Sequence, residues 1–282
     1  MATYGAHRQQ LAALVQDNPS VRAGLIVGSR AVEGADEAAD LDVVLVVDQP
    51  EAFLESPKWL GQLGRIWAWA TDTAQAGLPV LRVLLDGAAA IDFIIWGVDQ
   101  PLEPSFRALA ADSLRRGYVV LKDELELTPR LEALADAAAE AHAHGERPTQ
   151  EEFADTVAGF WIDAVRATKL LGRGEVWAAA HLIEARMKPR LIKVEGWAAR
   201  AVHGAPYDTY WAGRHLEHWA VGSFLADFAG TFAAFDVADQ RRALFHTMDV
   251  FRLLAVETAH RWGLDYPEAA DMRATVWART WQ

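Results

Sequence analysis

No cysteine occurs among the 282 residues, so the chain has no disulfide framework, no thiolate metal site and no thiol nucleophile. No apolar run approaches the length needed to span a bilayer, which excludes a membrane-spanning helix. Near the N-terminus, His7 and Arg8 precede a short apolar run, Leu11 to Val15, and the turn-forming Asn18-Pro19-Ser20 follows. That pattern is unlike a signal peptide, and a cytoplasmic enzyme or binding protein is the expectation. Basic residues are also in deficit. The 27 Lys and Arg against 39 Asp and Glu give a formal net charge of -12, which argues against non-specific nucleic-acid binding through a basic surface and is compatible with a cationic substrate. The nine histidines form no convincing His-x-x-x-His pair, so a zinc site is not expected.

Apolar residues, by contrast, make up 52% of the chain, ample for packed cores, and the length suits two domains. Residues Tyr4 to Gln16, with Leu11, Leu14 and Val15, read as a short amphipathic helix. Ala23 to Val27 reads as a first strand, bounded by Gly28, whose missing Cβ permits a tight turn and a close backbone approach to a ligand. Ser29 adds a hydroxyl there. Residues Ala31 to Ala39 read as a turn or a piece of helix followed by a loop, and Leu41 to Val47 as a second strand covered on both faces. A covering helix is expected within Glu51 to Ala70.

Val80 to Leu85 and Ile91 to Trp96 read as a hairpin around Asp86-Gly87. Arg107 to Arg116 reads as helix, Tyr118 to Leu121 as strand, and the polar, Ala-rich stretch up to Gln150 as an interdomain connection. Thereafter the pattern is helical. Phe153, Val157, Phe160, Trp161, Ala164 and Leu171 share one face of a helix over Glu151 to Leu171, stopped by Gly172-Arg173-Gly174. Two further helices are expected over Glu175 to Met187 and Pro189 to Val202, the second opened by its proline. A turn-rich insert, Gly204 to Gly213, precedes more helices. Of the 12 tryptophans, Trp161, Trp177 and Trp197 occupy helical apolar positions and read as core rather than as sugar-stacking platforms. Asp163, Glu175 and Glu184 read as solvated helix-surface acids.

The chemistry points to one stretch, GSRAVEGADEAADLDVVLVVD. Asp40 and Asp42 are two residues apart at the head of an extended strand, which aims both carboxylates at one face. Hard cations such as Mg²⁺ require oxygen donors of this kind. Asp92 lies inside an otherwise apolar strand, where an unpaired carboxylate is costly, so it is either exposed at an edge or kept by a cation.

GSRA, then DLDVVLVV, then DGAAAIDFII resembles the nucleotidyltransferase superfamily, which uses a Gly-Ser turn and three strand carboxylates. Within it the nearest likeness is the aminoglycoside 6-adenylyltransferase family, which adenylylates streptomycin. FWIDAVRATKLLGRGEVWAA and RMKPRLIKVEGW extend that likeness through the second half. The pattern differs at Ala90, where the family commonly has Arg, and at Arg214 and Glu217, where it has lysines.

The resemblance implies an α/β (α+β) nucleotidyltransferase domain with a mixed sheet over residues 1–147 and an all-α substrate-binding domain over 148–282. It implies transfer of AMP from ATP to an aminoglycoside hydroxyl, with Mg²⁺ held by Asp40 and Asp42. Asp92 is then a third metal ligand or the general base, two roles that the sequence does not separate. Gly28 and Ser29 would hold the terminal phosphates, and Arg30 and Lys169 would contact phosphate as well. Two other readings remain: a different hydroxyl acceptor, on a small compound or a protein side chain, and a nucleotide- or drug-binding relative without turnover.

Overall fold

The computed structural model describes residues 4–31, 40–73, 78–99, 113–144 and 147–281. The chain divides into two compact units, Met1–Ala141 and His142–Gln282.

The first unit contains α1 (Tyr4–Asp17), β1 (Val21–Val27), β2 (Leu41–Val47), α2 (Pro50–Leu54), β3 (Ile66–Thr73), β4 (Pro79–Leu85), β5 (Ala90–Gly97), β6 (Tyr118–Asp123) and α3 (Thr128–His144). Its six strands form one sheet in the order β3-β4-β5-β2-β1-β6. Only β2 and β5 run parallel, and the other neighbours are antiparallel, so the sheet is mixed. Strand alternation divides β2 between two cores. Leu41, Val43, Leu45 and Val47 pack with Leu11 and Val15 of α1 and with Phe53 of α2. Val44 and Val46 pack on the opposite side with Leu127 and with Leu131 of α3. A strand buried on both faces has to be apolar nearly throughout. Asp42 and Asp92 break that rule at corresponding places near the head of each strand.

Two expectations change in this unit. The segment Glu51 to Ala70 is not one helix. It holds α2, a 3-10 turn at Pro57–Leu60, and the first residues of the edge strand β3. Aromatic and β-branched side chains in Ile66–Thr73 favour an extended edge over a helix, and Trp67 and Trp69 stand about half exposed there. The stretch before Gln150 is not a plain connection either, because α3 fills most of it. Its alanines are strong helix formers, Pro129 sits in the first turn, and Leu131 seats it on the sheet. The Asp123 carboxylate fixes its start by accepting from Leu127 N–H at 2.8 Å and Thr128 N–H at 2.9 Å. Of the helix expected over Arg107 to Arg116, residues 107–112 lie outside the described residues, as does most of Ala31 to Ala39.

The second unit is helical. It comprises α4 (Gln150–Gly172), α5 (Val176–Leu182), α6 (Lys188–His203), α7 (Leu216–Trp219), α8 (Phe224–Ala229), α9 (Val237–Trp262) and α10 (Glu268–Thr280). Thr149 caps α4 by accepting from Glu152 N–H at 3.1 Å. All six residues named on its apolar face are buried, and Phe160 stacks on Phe251 of α9 with ring centroids 3.6 Å apart. The two helices expected around Pro189 are continuous, joined by a π-helical turn, Ile183–Met187. Proline cannot donate the usual backbone hydrogen bond, and the chain accommodates it by widening one turn instead of breaking. Trp161 and Trp197 are core residues as expected, whereas Trp177 is 72% exposed and stacks loosely on His181. Asp163 is the opposite case. It is fully buried rather than solvated, with Arg190 at 2.7 Å, Arg186 at 3.0 Å and Arg166 at 3.4 Å. Glu175 and Glu184 remain at the surface, paired with Arg173 and Lys188.

Candidate functional site

The parallel register of β2 and β5 sets Asp42 directly beside Asp92. Register partners on adjacent strands project to the same face, so the two carboxylates share one patch of the sheet. Asp40 stands exposed immediately before β2, close enough for its charge to act on Asp92. On the other side, β1 ends opposite Asp42, with Val27 as its partner, and turns at once through the 3-10 segment Gly28–Ala31.

That turn depends on glycine. Gly28 has φ +77°, a left-handed conformation that disfavours any side chain, and a Cβ there would sit 3.1 Å from Asp42 Oδ2. The backbone therefore passes against the Asp42 carboxylate at the closest spacing a side chain would obstruct. The side chain of Ser29 lies outside the described part of the structure. Arg30 follows in the same turn, partly exposed.

Two residues that the sequence reading passed over complete the patch. Arg82 on β4 is the cross-strand partner of Asp92, with its Nε 3.5 Å from Asp92 Oδ2, and its other arm reaches Asp72 of β3 at 3.3 Å. A signal for Arg82 was present. It is the lone charge of VLRVLL, as Asp92 is of IDFIIW, and the hairpin turn places the two opposite one another. Asp72 had no comparable signal, since the helix expected over Glu51 to Ala70 takes in the first residues of β3 and no strand was expected there.

Burial pushes the Asp92 carboxyl above its ordinary value; Arg82 opposes this, and the nearby charges of Asp40 and Asp72 add to it. Like charges held together in a half-buried place favour either a shared proton or a bound cation. Among the described residues no three acids or histidines are drawn together tightly enough to cage a metal by themselves. Two carboxylates on neighbouring strands are nevertheless the hard oxygen donors that suit a small divalent cation, which commonly takes one or two protein carboxylates and completes its shell with phosphate and water.

Lys169 belongs to the second unit. It is an exposed residue of α4, with its Nζ 5.4 Å from the ring centroid of Trp277. The residues brought together within the first unit are thus Gly28, Asp40, Asp42 and Asp92, with Arg82 and Asp72 beside them and Arg30 in the adjoining turn.

Comparison with known proteins bears on what this arrangement is for. No curated protein matches the chain significantly. Among solved structures, an aminoglycoside 6-adenyltransferase from Bacillus subtilis is similar over 99% of this chain and 98% of its own, at 15% sequence identity and a TM-score of 0.48. The family model described as streptomycin adenylyltransferase matches residues 2–280, a span that takes in the Gly28 turn, both strand aspartates and every helix of the second unit. This chain belongs to the streptomycin adenylyltransferase family and is a nucleotidyltransferase.

Proposed function

We propose that the protein transfers AMP from ATP to a hydroxyl of an aminoglycoside such as streptomycin, releasing pyrophosphate. The observation that carries this reading is the side-by-side placement of Asp42 and Asp92 beneath the Gly28 turn, in a chain matched by the family model almost end to end. The N-terminal catalytic domain would span residues 1–147 and the helical substrate-binding domain 148–282.

Asp40, Asp42 and Asp92 are the residues that would hold Mg²⁺, which when bound neutralises phosphate charge and polarises the reacting phosphoryl group. The Gly28–Ser29 turn offers backbone N–H groups to the terminal phosphates, at a place where only glycine lets the chain lie against Asp42. Arg30 and Lys169 supply cationic contacts to phosphate. The acceptor oxygen forms a bond to the α-phosphorus as the bond from that phosphorus to pyrophosphate breaks. The hydroxyl proton goes to a carboxylate, and where the cation is held by Asp40 and Asp42 alone Asp92 is the group suited to take it, since burial and its acidic neighbours raise its proton affinity. Arg82 restrains that rise and fixes the carboxylate from the adjacent strand.

The test is pyrophosphate release from ATP in the presence of Mg²⁺, with and without streptomycin. The reading expects release that depends on streptomycin and a product heavier by one AMP. Release no greater than background rules streptomycin out as acceptor, and measurable ATP binding without turnover on any acceptor identifies a non-catalytic relative.

A further inference from the structure

A concentration of positive charge stands in the helical unit of a chain whose formal net charge is -12. It gathers on Asp163 of α4. Arg190 of α6 reaches Oδ2 of that carboxylate at 2.7 Å, Arg186 of the π-helical turn reaches the same oxygen at 3.0 Å, and Arg166, one turn along α4, reaches Oδ1 at 3.4 Å. Three guanidiniums thus share one carboxylate. Among the described residues no second acid pairs with any of them, so three cations less one anion leave two positive charges in surplus.

A buried carboxylate needs a counter-charge, and one well-placed arginine supplies it. Arg190 is that one. It lies closest and is mostly covered, and Gly159 leaves room for it, since a Cβ there would stand 2.8 Å from its Nε. Its Nη1 also donates to the Arg186 carbonyl at 2.9 Å, which ties the π-helical turn to the pair. Arg166 and Arg186 are therefore in excess of what the buried charge requires, and at such spacing like charges repel unless an anion bridges them. Asp163 is fully buried, whereas the side chains of Arg166 and Arg186 are 57% and 50% exposed, so both guanidiniums rise from the carboxylate towards water on its open side. A guanidinium carries five N–H donors, and a carboxylate oxygen occupies one or two of them. The rest can meet a ligand that arrives from solvent.

We propose that Arg166 and Arg186 form a seat for a divalent tetrahedral oxyanion, inorganic phosphate or a phosphate monoester, with Asp163 beneath them holding both side chains in place. Arginine forks match phosphate geometry with paired N–H donors, and the bonds are strengthened by charge on both partners. The anion bridges the two guanidiniums and removes their repulsion. The inference does not rest on the transfer reaction, because its residues all belong to the helical unit and binding is read without turnover.

The test titrates inorganic phosphate into the full-length protein at constant ionic strength, beside sodium chloride alone, and follows the arginine Nε–H groups by NMR, with signals assigned through single substitutions. Phosphate should move the Arg166 and Arg186 signals to saturation, and chloride should not. Arg166→Gln and Arg186→Gln each leave Arg190 on Asp163, so the fold should hold while phosphate affinity falls on the order of ten-fold, as loss of a charge-assisted contact implies. Arg261→Gln removes the same charge elsewhere in the helical unit, beside Glu257, and should bind phosphate as the wild type does. Glycerol 3-phosphate, titrated in parallel, separates the two sources: tighter binding than phosphate identifies a monoester ligand, and weaker binding the free ion. Shifts that fail to saturate, that chloride reproduces, or that persist at full strength in both Arg166→Gln and Arg186→Gln overturn the proposal. If one of these variants does not fold, the other and the chloride comparison decide the matter.

Discussion

At Gly28 a single methyl group separates two outcomes. Alanine there must adopt φ near +77° and bring its Cβ to 3.1 Å from Asp42 Oδ2. The backbone cost is about 1 kcal/mol, too little to unfold a domain of this size. Displacing a carboxylate by a fraction of an ångström is more serious for catalysis, where misplacement costs about 10²-fold. Gly28→Ala should therefore melt within a few degrees of wild type while kcat falls by about that factor. Asp42→Asn removes the charge outright and should lower kcat by about 10³-fold or more while the shape of the side chain is kept. Steady-state kinetics beside a thermal melt separates the two effects.

Glu195 makes a different prediction, about pH. Burial first, and Glu257 second, move its carboxyl from the ordinary 4.5 up to about 7, against the Val221 hydrogen bond that lowers it. The proton is thus held more tightly in the folded chain than in the unfolded one. The resulting stability is fully present below pH 4.5 and is lost as pH rises through 7. Glu195→Gln stays neutral throughout, so its stability relative to wild type should grow across that window, by about 3 kcal/mol. Urea titrations at several pH values check this, and a constant difference contradicts it.

Among the secondary elements, α4 and α6 are tied by a buried charge. Asp163 on α4 receives Arg190 and reaches back to Arg186 in the π-helical turn, and Gly159 one turn earlier makes the room. A Cβ at residue 159 would stand 2.8 Å from Arg190 Nε. Gly159→Ala gains about 1 kcal/mol of helix propensity but displaces a guanidinium from a buried carboxylate, a loss of about 3 kcal/mol. The second effect is larger, so the substitution should destabilise. Asp163→Ala should cost about 3–5 kcal/mol by chemical denaturation, because three arginines lose their shared acceptor.

Elements were legible in the sequence where one periodicity ruled. The strand at Leu41–Val47 lies where its β-branched run predicts, and the β4–β5 hairpin follows its turn residues. Edge strand β3 was hidden because Ile66 and Trp67 continue the spacing of three and four set by Leu60 and Leu63, and pairing with β4 holds the strand extended. The burial of Asp163 was hidden for a similar reason. Helical phase shows that a residue leaves the apolar stripe, but not that arginines from another helix will cover it. Asp42 and Asp92 were each visible, whereas their adjacency required the parallel β2–β5 register, which no local signal encodes.

For the whole molecule, the two units hold separate cores, two on the opposite faces of the sheet and one among the helices. The helical core is large and contains the stacked Phe160 and Phe251 pair, so residues 142–282 should fold alone and melt cooperatively by circular dichroism. The net charge of -12 suits a cationic acceptor without selecting one, and the family match supplies the reaction class that charge cannot.

If the acids at β2 and β5 form the metal and nucleotide site, a crystal structure with Mg²⁺ and a non-hydrolysable ATP analogue will show the cation among Asp40, Asp42 and Asp92, with the terminal phosphates against the Gly28–Ser29 turn. A nucleotide bound elsewhere, with these aspartates directed into solvent, would contradict that assignment.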